Sequence, residues 1–168
     1  MTNTAVTDVI NQLAGIDERS TVAELRRQKP DLVRFAQGSY EALLEPADPE
    51  SVSLVERHAI AYRIGLLTNF ERVATWHRRR LESLGTPTET IDAIVAFPNA
   101  DGLEPRLEAL LAQTDRVTIA PDLSEPEDIE RLKAAGLTPK AIVTIAQLIG
   151  FTAYQVRAIA VARAFAEG

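Results

Sequence analysis

Cysteine is absent from this chain of 168 residues. Its absence excludes a disulfide framework, a thiol nucleophile and any zinc or iron–sulfur site held by thiolates. A Gly-rich phosphate loop, a dinucleotide fingerprint and a strained serine elbow are also missing, so we expect no ATP, NAD, flavin or other cofactor. The amino-terminal residues contain neither a basic start nor an apolar run, and we therefore expect no signal peptide.

The charge balance is acidic, with 24 Asp and Glu against 18 Lys and Arg and a formal net charge of −6. This balance argues against a general affinity for nucleic-acid backbones. Hydrophobic residues make up 46% and charged residues 25%, an ordinary globular composition that favours a single domain over residues 1–168. We expect a cytoplasmic protein that binds neither nucleic acid nor a membrane.

Helical periodicity dominates the chain, and several helix starts match a capping box, in which a Ser or Thr is followed three residues later by Glu. These boxes are Thr21–Glu24, Ser53–Glu56, Thr68–Glu71, Thr86–Glu89 and Ser124–Glu127. Strand evidence is limited to the short run at residues 117–119. The sequence predicts an all-α fold with helices near 4–13, 21–28, 31–44, 53–67, 69–84, 87–97, 104–113, 126–135 and 139–166, the last with a bend near Gly150.

Composition divides the chain into a core block at residues 53–97, an acidic connecting region at 98–125 and a carboxy-terminal helical block at 126–168. Residues 85–131 hold 11 acidic and three basic residues, a pattern typical of a solvated connection. Residues 141–156 carry no charge. A membrane helix needs about 20 apolar residues, so this stretch favours a helix buried in a core or in the interface of a homo-oligomer.

The two histidines, His58 and His77, fall on consecutive predicted helices. His58 shares a helix face with Tyr62 and Gly65, and His77 shares one with Arg80. Imidazole titrates near neutrality, so a neighbouring pair could serve as acid and base. The alternative is a pair of core histidines, each satisfied by one hydrogen bond.

Residues 76–80, WHRRR, form the strongest basic cluster and include Trp76. Consecutive helical residues point in different directions, so these arginines cannot line one groove, and a solvated or ion-paired face is favoured over a nucleic-acid site. Arg80 lies on the His77 side, where it could bind a carboxylate or pair with an acid. Glu71 and Asp92 are near the histidines only in sequence, so we expect no metal site.

Two blocks resemble the carboxymuconolactone decarboxylase (CMD) or alkylhydroperoxidase-like family. Residues 53–85, SLVERHAIAYRIGLLTNFERVATWHRRRLESLG, resemble the family core, a capped helix and turn followed by a helix with a histidine. Residues 124–160 are similar to the carboxy-terminal half of longer, peroxidase-related members, with Phe151, Tyr154 and Arg157 on the long helix. The resemblance implies an alkylhydroperoxidase-like bundle of about eight or nine helices, and a trimer or hexamer with a pocket near the subunit contacts.

The sequence departs from that family at the residues that carry its peroxidase chemistry. In peroxidase-active members a Glu is followed after twelve positions by a Cys, three later by a second Cys and four later by a His. Aligned on His77, this pattern places the cysteines at Phe70 and Val73 and the acid at His58. Thiol reduction of a peroxide needs one thiolate to attack and another thiol to resolve. We therefore predict no thiol-dependent peroxidase activity.

Glu56 lies two residues from the position of the missing relay acid. As the third residue of the box that Ser53 opens, it has a sufficient structural role, and we favour capping over catalysis.

Two functions remain open. One is acid–base chemistry of the decarboxylase or lyase kind on a small carboxylate, with His77 and His58 as the catalytic pair. In that case Arg80, Tyr62, Trp76 and Arg157 would bind the substrate. The other is a non-catalytic subunit that binds a small ligand or assembles with a cysteine-bearing relative. A polar cavity between the histidines would favour the acid–base enzyme. A dry contact filled by Phe70 and Val73 would favour the non-catalytic subunit.

Overall fold

The computed structural model describes residues 8–167, which form nine α-helices and one short 3-10 helix. The helices are α1 Val9–Ala14, α2 Thr21–Arg27, α3 Pro30–Leu43, α4 Leu54–Leu67, α5 Glu71–Ser83, α6 Thr88–Ala96, α7 Pro105–Ile119, α8 Pro126–Ala134 and α9 Pro139–Glu167, with the 3-10 helix at Pro121–Leu123. The all-α prediction is confirmed. Part of the first predicted helix, residues 4–7, lies outside the described residues.

Helix α4 is the centre of the bundle. Its residues from Arg57 to Gly65 are all buried, and it packs against α5, α6, α7 and α9. One apolar cluster joins α4 to α1, α3 and α9 and includes Ile60 and Ile64. A second cluster joins α4 to α5, α6 and α7 and includes Ala59 and Tyr62. Burial on all sides agrees with a sequence that has apolar residues on every face of the helix and no single apolar stripe.

Helices α4 and α5 approach each other closely at Gly65. A Cβ atom placed on Gly65 would lie 2.6 Å from the backbone nitrogen of Ala74 and 2.8 Å from its Cα atom. Only glycine allows this separation, because any side chain at position 65 would collide with backbone rather than with a movable side chain. The crossing brings the two histidine-bearing helices into contact.

The capping box at Ser53 and Glu56 is confirmed, with both reciprocal hydrogen bonds present. Two other predicted caps are one residue off, the one for α2 too late and the one for α8 too early. Ser20, not Thr21, caps α2 through a hydrogen bond to the amide of Ala23, and Glu125 caps α8. Adjacent polar residues offer alternative caps, and the local pattern does not distinguish between them.

The predicted caps of α5 and α6 are wrong. Phe70 is the N-cap residue of α5, because the Thr68 hydroxyl donates to the carbonyl of Ile64 and so closes α4 instead. Asn69 takes a left-handed conformation with φ of 52° in the turn between the helices. Helix α6 starts after Pro87 without a side-chain cap, and the hydroxyl of Thr86 is buried without a partner among the described residues.

Helices α7 and α9 differ from their predictions, α7 in its length and α9 in its continuity. Helix α7 continues through residues 117–119, so the only strand-like run is helical and much of the acidic connecting region is an ordered helix. Helix α9 is continuous through Gly150. By length and composition α9 could also cross a membrane, a property that it shares with the core helices of many water-soluble proteins. It packs against α1, α2, α3, α4, α7 and α8.

Candidate functional site

His58 and His77 meet in the interior. Their Nδ1 atoms lie 2.9 Å apart and their ring centroids 5.2 Å apart. Both side chains are 0% exposed. The contact is therefore a hydrogen bond between two imidazoles, in which one Nδ1 donates its proton and the other accepts it.

A carboxylate and a guanidinium extend this contact. Glu45 Oε1 lies 3.2 Å from His58 Nε2, within ion-pair distance, although the approach falls outside hydrogen-bond geometry. Arg80 holds the same carboxylate in a fork, donating from Nε and from Nη2 to its two oxygens at 2.7 Å each. The four side chains form the series His77–His58–Glu45–Arg80.

Burial and charge set the protonation of the series. Burial lowers the pKa of His58 to about 4, although the Glu45 carboxylate opposes the change. Burial, with a smaller contribution from His58, holds the pKa of His77 well below its ordinary value. Burial would raise the pKa of Glu45, but the Arg80 hydrogen bonds and the nearby His58 outweigh it, so that pKa is lowered. At neutral pH both rings are neutral and the carboxylate is ionised.

Electrostatics assigns the two ring protons. An ionised Glu45 favours a proton on the nearby Nε2 of His58, which leaves the Nδ1 of His58 as an acceptor. His77 then donates from its own Nδ1. As a result its Nε2 carries a bare lone pair, and this atom is buried without a hydrogen-bond partner among residues 8–167.

Such a series can pass a proton. A proton accepted at His77 Nε2 could move through the two Nδ1 atoms to His58 Nε2 and then to Glu45, leaving both rings neutral. Catalysis by this proton transfer would require that a substrate reach His77. Neither histidine lines any of the five main surface clefts of the described chain.

The positions of the missing thiols are filled by apolar side chains. Val73 is 0% exposed and belongs to the core cluster around α4 and α9. Phe70 is partly buried and packs against the same cluster. Val73 also precedes His77 by one helical turn on the same face of α5. The site therefore holds hydrocarbon where the peroxidase pattern has sulfur.

The other predicted site residues are distributed over several surfaces. Tyr62 is buried and lines a cleft with Asn69 and Arg78. The indole Nε1 of Trp76 donates to the hydroxyl of Tyr40 at 3.0 Å. Arg157 lines a groove between α2, α3 and α9, and its guanidinium donates to the carbonyl of Ala153.

Among the candidate residues, Arg80 alone joins the histidines, through Glu45. Glu71 and Asp92 are exposed. Within the described part of the chain, no group of three His, Asp or Glu side chains could hold a metal ion.

Glu45 is the acid that sequence reasoning missed, since it lies just beyond the end of α3 in a segment without a motif. The buried Arg57 fixes this segment by donating to the carbonyls of Leu43, Pro49 and Val52. Glu56, by contrast, has a structural role. It accepts from the amide and hydroxyl of Ser53 at 2.7 and 2.9 Å and from Arg106 at 2.5 Å.

Solved structures resemble this chain, whereas family models and curated proteins do not. No family model and no curated protein matches this chain. An uncharacterised peroxidase-related protein from Silicibacter sp. TM1040 aligns with a TM-score of 0.69 and 20% sequence identity, covering 77% of this chain and 66% of that one. The alkylhydroperoxidase AhpD core of an uncharacterised peroxidase-related protein from Ralstonia eutropha JMP134 aligns with a TM-score of 0.69 and 20% identity, covering 86% of this chain and 83% of that one.

These matches confirm the fold that the sequence resemblance implies. The chain has the helical fold of these alkylhydroperoxidase-like structures, and it spans about two thirds of the first matched structure and most of the second. It has this fold without a single cysteine. Fold and thiol chemistry are therefore separate questions for this protein.

Proposed function

We propose that this protein is a non-catalytic subunit, which keeps the alkylhydroperoxidase-like fold without its thiol chemistry and acts by assembling with a partner subunit. The observation that carries the proposal is the dry contact between His58 and His77, at 2.9 Å with both rings 0% exposed. A catalytic pair needs a route for substrate, whereas this pair is sealed within the bundle. Its direct effect is to hold α4 against α5.

The chemistry of peroxide reduction supports the same conclusion. A thiolate must attack the peroxide oxygen, and a second thiol must then resolve the sulfenic acid. Phe70 and Val73, at the aligned positions, can neither ionise nor transfer electrons. The remaining polar groups move protons, which does not replace the two electrons that a peroxide takes up.

The surface of the protein supports a role in assembly. Large apolar side chains are exposed on α2, α3 and α9, among them Leu25, Leu32, Tyr154 and Phe165. Contiguous apolar surface on a water-soluble protein marks an interaction site more often than a neutral feature. The partner would be a second copy of this chain or a cysteine-bearing protein of the same fold.

A peroxidase assay tests the loss of thiol chemistry. Purified protein is incubated with cumene hydroperoxide and a dithiol reductant, and peroxide consumption is followed against a heat-denatured sample. We expect no difference between the two samples. Turnover above the denatured control would contradict the proposal, because it would require a redox group that the chain does not contain.

One observation favours a second candidate, acid–base catalysis on a small carboxylate. The lone pair on His77 Nε2 has no partner, and the series to Glu45 could relay a proton away from it. The test follows ring opening and decarboxylation of a γ-lactone carboxylate by the native protein and by His77→Gln. Turnover that is lost in a folded His77→Gln variant would favour this candidate over the subunit.

A further inference from the structure

An apolar groove runs between α2, α3 and the carboxy-terminal half of α9. Its volume is about 480 Å³, and its walls are Val22, Leu25, Arg26, Lys29, Leu32, Val33, Tyr154, Arg157, Ala158, Val161, Ala162 and Phe165. Val161 is 59% exposed and Phe165 69% exposed. Apolar side chains that stand this far into solvent are stabilised when another apolar surface covers them.

The groove also carries positive charge that the acids among residues 8–167 match only in part. Arg26 is satisfied by a two-pronged ion pair with Asp8. Lys29 has no ion-pair partner among residues 8–167, and the guanidinium of Arg157 donates to the carbonyl of Ala153 within its own helix. The occupant that fits this groove is therefore apolar and carries at least one acidic group.

The chain itself presents a surface of that chemistry. Ile119, at the end of α7, is 66% exposed, and Leu123, at the end of the 3-10 helix, is 55% exposed. Between them Asp122 is exposed and has no ion-pair partner in the described residues. We call Ile119, Asp122 and Leu123 the acidic turn. It lies in the segment with the strongest excess of acidic residues.

We propose that the acidic turn of one copy docks into the α2–α3–α9 groove of a second copy. Ile119 and Leu123 would cover the apolar walls, and Asp122 would pair with Lys29 or Arg157. The two surfaces are different parts of the same chain, so the contact is head-to-tail and builds a ring if it closes or a filament if it does not. The inference rests on the proposed function in one respect. The proposed function is assembly, and this contact is the means by which the protein assembles.

Two single substitutions separate the surfaces. Val161→Glu places a charge in the groove, and Leu123→Glu removes the apolar end of the acidic turn. Val95→Glu is the matched control, because Val95 is an exposed valine on α6 outside both surfaces. Molar mass is measured by light scattering across a protein concentration series. We expect the native protein and Val95→Glu to self-associate, and each of the other two variants to be monomeric.

Mixing the two monomeric variants is the diagnostic step. Val161→Glu retains an intact acidic turn and Leu123→Glu an intact groove, so an equimolar mixture should form a heterodimer that grows no further. A mixture that stays monomeric would overturn the proposal. Association of Leu123→Glu with loss of association in Val161→Glu would also overturn it, since the groove would then face a second groove.

A charge exchange tests the pairing of Asp122. Asp122→Lys should raise the dissociation constant of self-association by about tenfold, and adding Lys29→Glu and Arg157→Glu to the same chain should recover most of that loss. Failure of the triple variant to recover would contradict the assigned pairing. If the native protein is monomeric and binds sodium decanoate in the groove, the proposal is overturned. The occupant of the groove would then be a small amphiphile and not a second copy of the chain.

The peroxidase assay keeps the two proposals distinguishable. Peroxide turnover by the monomeric Val161→Glu variant would contradict the non-catalytic function and leave the docking intact. A native protein that is monomeric and inactive would contradict the docking alone.

Discussion

The Nδ1 atom of His58 lies 2.9 Å from the Nδ1 atom of His77, and neither ring reaches solvent. This contact joins helices whose histidines are 19 residues apart in the chain. A buried hydrogen bond between two neutral rings adds little net free energy by itself. Leaving either nitrogen without its partner, however, would cost the full desolvation of that group. The pair therefore fixes how α4 and α5 meet.

The lowered histidine pKa values predict a pH-dependent stability. An unfolded histidine has its ordinary pKa of 6.5, whereas burial lowers that of folded His58 to about 4 and that of His77 also well below 6.5. Below pH 6.5 the unfolded chain binds protons that the folded chain excludes. The contribution is thus complete above pH 6.5 and decreases as the pH falls, by roughly 1 to 3 kcal/mol per pH unit for the pair.

Urea unfolding between pH 7.5 and pH 5 measures this slope. The control is the double variant His58→Gln/His77→Asn, which has no histidine and whose stability should change little over that range. The lowered pKa of Glu45 acts in the same direction but only at lower pH, near the ordinary glutamate pKa of 4.5. Equal slopes in the native and control proteins would show that the rings are not buried as neutral groups.

Gly65 and Gly150 form a matched pair for testing the close crossing of α4 and α5. Gly65→Ala should reduce the free energy of unfolding by about 2 kcal/mol or more, because its Cβ would lie 2.6 Å from the nitrogen of Ala74. Gly150→Ala adds a Cβ that would meet no atom of residues 8–167 within 4 Å other than its own helix backbone, and it should increase that free energy by up to about 1 kcal/mol. Denaturant unfolding of both variants checks the difference. Similar effects at both sites would contradict the close approach.

Arg57 anchors the segment that carries Glu45. Its guanidinium donates to three backbone carbonyls at 2.7 to 3.1 Å, and a lysine ammonium cannot reproduce that fork. Arg57→Lys should therefore lower the free energy of unfolding by roughly 2 to 4 kcal/mol.

The control for Arg57 is Arg78→Lys, since Arg78 is an exposed arginine in an i,i+4 pair with Glu82. Its effect should stay within about 0.5 kcal/mol. Faster amide hydrogen exchange at residues 44–53 in Arg57→Lys would report the loosened segment. Equal stability losses in the two variants would contradict the anchoring role.

Local signals in the sequence predicted most of the fold. The box at Ser53 and Glu56 fixed the start of α4, and Pro139 occupies the first position of α9 as expected. The prediction of a helix start was wrong where the predicted capping residue makes a different hydrogen bond. The hydroxyl of Thr68, for example, donates to the carbonyl of Ile64 in the preceding helix. Helix periodicity depends on neighbours within one or two turns, so one sequence suffices to detect it.

The same reasoning from the sequence predicted only part of the candidate site. Helix faces placed Arg80 beside His77, and the resemblance aligned His58 with a relay position. Glu45 remained hidden because it lies 35 residues from Arg80 in the chain and makes its contacts only after folding. Arg157, predicted as a substrate-binding residue, is carried by its helix to the groove between α2, α3 and α9.

The central claim, that the histidine pair is a sealed structural contact, is tested most directly by the ring ¹⁵N resonances across a pH titration. We predict two neutral rings of fixed and opposite tautomer, with the proton on Nε2 in His58 and on Nδ1 in His77. The midpoint of the His58 titration should lie near pH 4. A ring that titrates near pH 6.5, or one that exchanges between tautomers, would contradict the account.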